Sequence, residues 1–169
     1  MALRFFFGLI VCLGIAGAIG IFAGLDLTLQ EAQEIVGQEM GGRLLAGSAL
    51  AYLLTPYTAA QLGTVLPIVA WAAGGFVGGL ITKSPLKAII MAILSVAIAW
   101  VAFGIIAGSM AGLSLGETFQ GFGEVTKSMA GDLGVAAAAC LVPAVIGGAI
   151  TQGEKYKVII KRVGLGEEE

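Results

Sequence analysis

Four stretches, Phe5–Leu25, Leu62–Thr82, Ala88–Leu113 and Leu133–Thr151, run for 21, 21, 26 and 19 residues without an ionisable side chain. At about 1.5 Å per residue, each predicts an α-helix able to cross a hydrocarbon core of roughly 30 Å. The pattern predicts an all-α integral membrane protein with four transmembrane helices. Between the spans it changes to a shorter, amphipathic period. Thr28-Leu29-Gln30-Glu31 and Ser114-Leu115-Gly116-Glu117 each fit the capping box, in which a hydroxyl accepts a first-turn N–H and the Glu reaches back to the cap. Leu29, Ala32, Ile35, Val36 and Met40 then recur at helical spacing opposite Glu31, Glu34 and Gln38, and Phe119, Phe122, Met129 and Leu133 trace a second stripe. Both predict amphipathic helices at the membrane interface or over the outer end of the bundle, the second weakened by Gly121, Gly123 and Gly131.

The pattern repeats. Ala23-Gly24-Leu25-Asp26-Leu27 resembles Ala111-Gly112-Leu113-Ser114-Leu115, Gly78-Gly79-Leu80-Ile81-Thr82 resembles Gly147-Gly148-Ala149-Ile150-Thr151, and Lys87-Ala88-Ile89-Ile90 resembles Lys157-Val158-Ile159-Ile160. The matches keep their order and fall at equivalent helix ends. They predict two tandem helical hairpins, related as a parallel repeat, each with an amphipathic outer helix. The chain then reads as one membrane domain over residues 1–169, with repeat 1 at about 5–87, repeat 2 at about 88–160 and a short tail at 152–169.

Small residues recur every four positions: Ala16, Gly20 and Gly24; Gly74 with Gly78 and Gly75 with Gly79; Gly104, Gly108 and Gly112; and the Gly147-Gly148 pair. Lipid supplies no hydrophobic force between helices, so close backbone approach along such faces is a main source of their association. These positions are the expected helix-packing sites. The chain's 27 glycines also leave small faces for other subunits.

The first hairpin carries an insertion. Residues 44–82 hold no ionisable group for 39 residues, and one helix of that length would measure roughly 58 Å, so it must break. Thr55-Pro56-Tyr57-Thr58 is the expected break, because proline removes a backbone donor and disfavours helix before it. Residues 44–61 read as an outer insertion, either re-entrant or interfacial. They hold a concentration of polar side chains, Ser48, Tyr52, Thr55, Tyr57, Thr58 and Gln61, followed by Thr64. Thr55, Pro56, Tyr57, Thr58 and Gln61 are the candidate pore or interface residues, since irregular backbone at membrane depth must be buried in protein or line a wet cavity. Pro67 and Pro143, inside spans two and four, are expected to kink them. Trp71 and Trp100 lie far from the span ends and are expected to pack against helices or lipid.

Charge orients the plan. Arg4, Lys83, Lys87, Lys155, Lys157, Lys161 and Arg162 fall on one side and only Arg43 and Lys127 on the other, which predicts both termini in the cytoplasm and a cell-membrane location. Asp26, Glu31, Glu34, Glu39, Glu117, Glu124 and Asp132 then form a solvated outer face. Arg4 before an apolar run could open a secretory signal, but 21 residues exceed a signal's apolar region, so a retained helix is expected. Lys155–Arg162 could touch anionic headgroups, and Glu167-Glu168-Glu169 is a solvated terminus.

The chemistry is sparse. A mean hydropathy of +0.99 excludes an ordinary soluble domain. The chain has no histidine, and its two cysteines, Cys12 and Cys140, both sit in apolar spans, where small packing residues are expected in place of metal ligands or a disulfide. Glu31, Glu34 and Glu39 could hold a divalent cation but read more simply as a helix's solvent face. There is no phosphate-binding glycine loop, no nucleophile triad and no intramembrane carboxylate pair, so neither an enzyme nor any cofactor is expected. The plan resembles small prokaryotic multi-spanning proteins built from glycine-rich hairpins, a likeness of architecture alone. The expected partners are membrane lipids and other membrane subunits, as a homo- or hetero-oligomer, with no nucleic acid. The expected role is a non-catalytic structural or accessory subunit of a larger assembly; the alternative is a passive channel or transporter module lined by residues 44–61.

Overall fold

The computed structural model describes residues 2–38 and 40–164, with side chains described from residue 3 to residue 152. Glu39, the side chains of Lys155–Arg162 and the terminal Glu167–Glu169 lie outside the described residues. Every regular element among them is helical: α1 (Ala2–Ile19), α2 (Leu29–Val36), α3 (Gly41–Leu53), α4 (Pro56–Gln61), α5 (Leu66–Thr82), α6 (Pro85–Met110), α7 (Leu115–Ser128) and α8 (Ala130–Gly164). Three helical stretches, Leu3–Gly24, Pro85–Met110 and Ala130–Gln152, are long and apolar enough to cross a membrane, the design of a membrane protein. A fourth apolar helix, α5, is 17 residues long, or about 25 Å.

The shortness of α5 corrects the sequence reading of a span from Leu62. Gly63 takes a left-handed φ of +87°, and the Thr64 N–H closes back on the Ala59 carbonyl, so the chain turns before Leu66 begins the helix. Pro67 therefore stands in the first turn of α5, where its missing N–H costs nothing, and does not kink a span. Pro143 does lie inside its helix. α1 ends in a π-helical turn over Gly20–Gly24, and α8 continues through the expected tail to Gly164.

α5 is the centre of the bundle. Its glycines form two faces, Gly74 with Gly78 and Gly75 with Gly79. A Cβ on Gly74 would stand 2.5 Å from the Cys12 carbonyl oxygen of α1, and one on Gly78 would stand 2.9 Å from that of Gly8. On the other face, Cβ atoms at Gly75 and Gly79 would collide with the carbonyls of Cys140 and Ala144 of α8. The pairings run in opposite order on α1 and in the same order on α8, so α1 is antiparallel to α5 and α8 parallel to it. Gly147 returns the contact against Phe76 and Leu80, and Gly148 closes on the Ser84-Pro85 turn. Around this seam lie the fully buried Cys12, Trp71, Met91, Ser95 and Cys140.

The two capping boxes form. Thr28 and Ser114 each accept the N–H three residues on, while the Glu31 and Glu117 carboxylates accept from both the hydroxyl and the backbone of their caps. Of the first stripe, Ala32 is buried while Leu29 and Val36 stay exposed; Met40 lies beyond the end of α2, before α3. α7 folds back antiparallel along α6, with Phe122 against Gly104 and Thr118 against Gly108. Gly112 makes no helix contact. It takes a φ of +71° in the turn after α6, a correction to its expected place in a packing face.

Candidate functional site

The polar segment of residues 44–61 forms a cap at the N-terminal end of α5. Leu53, Leu54 and Pro56 are buried at the join between α3 and α4, where the helix breaks at Leu54-Thr55 and restarts at proline. Fixed φ and a missing donor suit proline to that first helical position. Ala16 is buried, and Gly20 and Gly24 receive this cap: Gly20 packs on the Leu53 side chain, and the Tyr52 ring fills the space a Cβ on Gly24 would take.

Four of the cap's polar side chains, Tyr52, Thr55, Thr58 and Thr64, have partners within the chain. The Thr55 hydroxyl donates to the carbonyls of Ala51 and Tyr52 at 3.0 and 3.3 Å, closing the frayed end of α3. The Trp71 indole N–H donates to the Leu53 carbonyl at 2.8 Å, and the Tyr52 and Thr64 hydroxyls meet at 3.4 Å. The Thr58 N–H and hydroxyl both donate to the Asp132 carboxylate of α8, at 2.9 and 2.8 Å. Asp132 is only 8% exposed, which corrects its placement on a solvated acidic face. It was drawn inward because the first turn of α4 has free donors and its own cap residue, Thr55, is turned toward α3. Among the described residues, no buried side-chain nitrogen or oxygen lacks a hydrogen-bond partner.

The expected pore or interface residues thus separate. Pro56 is buried and Thr55 half-buried against α3, while Tyr57, Thr58 and Gln61 are exposed, Thr58 with its N–H and hydroxyl on Asp132 of α8. No enclosed polar path joins them through the contacts described. Trp71 and Asp132, which hold the cap from below, were not expected as site residues. Their partners lie 18 and 74 residues away in sequence, a relation no local pattern carries.

Electrostatics outside the spans is local. Hydrogen bonds from the Thr28 hydroxyl and backbone hold the Glu31 carboxyl below the usual carboxylate range, and those of Ser114 do the same for Glu117. No cluster of three or more His, Cys, Asp or Glu forms among the described residues. Cys12 and Cys140 are both free thiols, buried, with their sulfurs 3.7 Å apart. The arrangement offers helix surfaces and a sealed cap. The class it defines is an all-helical membrane bundle closed by a helix–break–helix cap. No family model, curated protein or solved structure matches the chain.

Proposed function

We propose that this protein is a non-catalytic structural or accessory subunit of a membrane assembly. The observation that carries the reading is how the cap is held: the Thr55 and Thr58 hydroxyls and the Trp71 indole are taken up by partners on α3 and on Asp132 of α8, and do not converge on one path. A channel through residues 44–61 would need Thr55, Thr58 and Gln61 around one wet space. What the chain offers outward is helix surface. Only 28% of the apolar window is buried in α1 and in α8, leaving broad faces for lipid and neighbouring subunits.

In this reading α5 is a fourth, short span, and the chain consists of two tandem hairpins with both termini in the cytoplasm. Two features support the repeat. Leu27-Thr28-Leu29-Gln30-Glu31 and Leu113-Ser114-Leu115-Gly116-Glu117 both carry a formed capping box, each preceded by a left-handed residue, Asp26 and Gly112. α1 packs on α5 as α6 packs on α8, within each hairpin. The lysines of the Lys83–Lys87 turn favour that side as cytoplasmic.

The test is purification of the native particle in mild detergent, with its mass and subunits identified. Stoichiometric different subunits support the proposal. A closed homo-oligomer that passes small solutes in proteoliposomes would replace it with the channel.

A further inference from the structure

Small residues that face each other across two helices let the backbones close, as Gly74 and Cys12 do. Between α3 and α6 they do not. Gly47, Ser48 and Ala51 of α3 face Ala107 of α6 and Ala111 just past its end across an open groove of about 470 Å³. The helices do touch at one point, where a Cβ on Gly47 would meet the Ile106 side chain at 3.3 Å. A second helix, about 10 Å across, cannot enter a groove already closed to contact there. A single hydrocarbon chain can.

The groove's length agrees with that occupant. It follows α6 from Ala111 to Phe103, eight residues or about 12 Å, against about 15 Å for the hydrocarbon of one leaflet. Its lining is apolar apart from the exposed Ser48. At the open end, Arg43 stands one helical turn before Gly47 on the flank of α3 and is exposed. Arg43 and Lys127 are the two basic residues of the loop side that also carries Asp26, Glu31, Glu34, Glu117 and Glu124, and of the two only Arg43 adjoins the groove, next to its lining residue Leu44. The chemical complement of an apolar slot with a guanidinium at its mouth is a phospholipid.

We propose that the α3–α6 groove binds one phospholipid, with an acyl chain along Gly47, Ser48 and Ala51 and the phosphodiester paired with Arg43. Arginine suits this role because its planar fork matches phosphate oxygens, while its stem lies along the apolar wall. The smallness of Gly47 and Ala51 keeps the slot open.

Native mass spectrometry of the purified full chain in detergent tests this, with dioleoyl phosphatidylglycerol as the probe and dioleoylglycerol, which lacks the phosphate, as the comparison. The wild type should retain one phosphatidylglycerol and little diacylglycerol. Arg43→Gln should weaken retention about tenfold, Ala51→Leu should remove it, and Lys127→Gln on α7 should leave it unchanged. Because Arg43 is exposed, its variant keeps the question answerable even where Ala51→Leu folds poorly. The proposal is overturned by equal retention of the two lipids, by an Arg43→Gln protein that binds like wild type, or by a wild-type dimer that Ala51→Leu dissociates.

Discussion

Asp132 and Thr58, 74 residues apart, form a two-point hydrogen bond in which one carboxylate accepts both the backbone N–H and the hydroxyl of the threonine. The carboxylate acts as a cap for α4 supplied by another helix. Hydrogen bonds to a charged group contribute about 1.5–3 kcal/mol each, and Asp132 accepts two of them. Asp132→Ala should lower the thermal midpoint in detergent more than Thr58→Val, which keeps the N–H bond. The double variant should be less destabilised than the sum of the two. Strict additivity would mean that the residues do not act as a pair.

That pair also marks the limit of what the sequence reveals. The capping boxes were legible because hydroxyl and Glu sit three residues apart and need nothing else. The small-residue faces of α5 were legible because four-residue spacing maps directly onto one helix side. The start of α5 was not, since Leu62–Thr82 is uniformly apolar and the turn depends on one left-handed glycine and a backward hydrogen bond from Thr64. Asp132 looked like its acidic neighbours until the fold carried α4 beside it.

The glycines of α5 should differ sharply from those facing open space. Gly75→Ala places a methyl group against the Cys140 carbonyl, where backbone must move, and overpacking of this kind costs about 1–3 kcal/mol or more. Gly121→Ala meets nothing within 4 Å and should be neutral or mildly stabilising, as alanine favours helix. Comparable losses at both sites, read by thermal unfolding, would contradict the central placing of α5.

On α6 the effect should be local. Gly108→Leu pushes on Thr118 and should detach α7 while the α1–α5–α8 seam holds. Hydrogen exchange should then rise across residues 115–128 and stay low across 70–80. Leu at the exposed Ile105 should change neither region.

Acid should reach the two capping boxes late. The folded carboxyls of Glu31 and Glu117 titrate below their unfolded values, so their stabilisation is complete above the ordinary carboxylate range and is lost only as pH falls through the lowered folded values. Carboxyl-carbon NMR should show both titrating low. Thr28→Ala and Ser114→Ala should each return the nearby Glu toward ordinary behaviour; a titration unmoved by either change would assign the shift to another cause.

The buried thiols supply a simple check of the core. Cys12 and Cys140 have no exposed surface, and reactivity requires an accessible thiolate. N-ethylmaleimide should label neither in the folded protein and both after unfolding in SDS. Fast labelling of either in the native micelle would place a wet gap at the seam.

The grip on α5 from both sides has a consequence for how the molecule is made. One of its faces rests on α1, which is made before it, and the other on α8, which is made after it. Until α8 is synthesised, Gly75 and Gly79 have no partner and Asp132 does not yet hold α4. A nascent chain halted before Ala130 therefore has a half-built core and an unpinned cap, open to proteases and to binding by a neighbour's helix. α8 is the clasp, and quality control of this protein turns on whether it arrives.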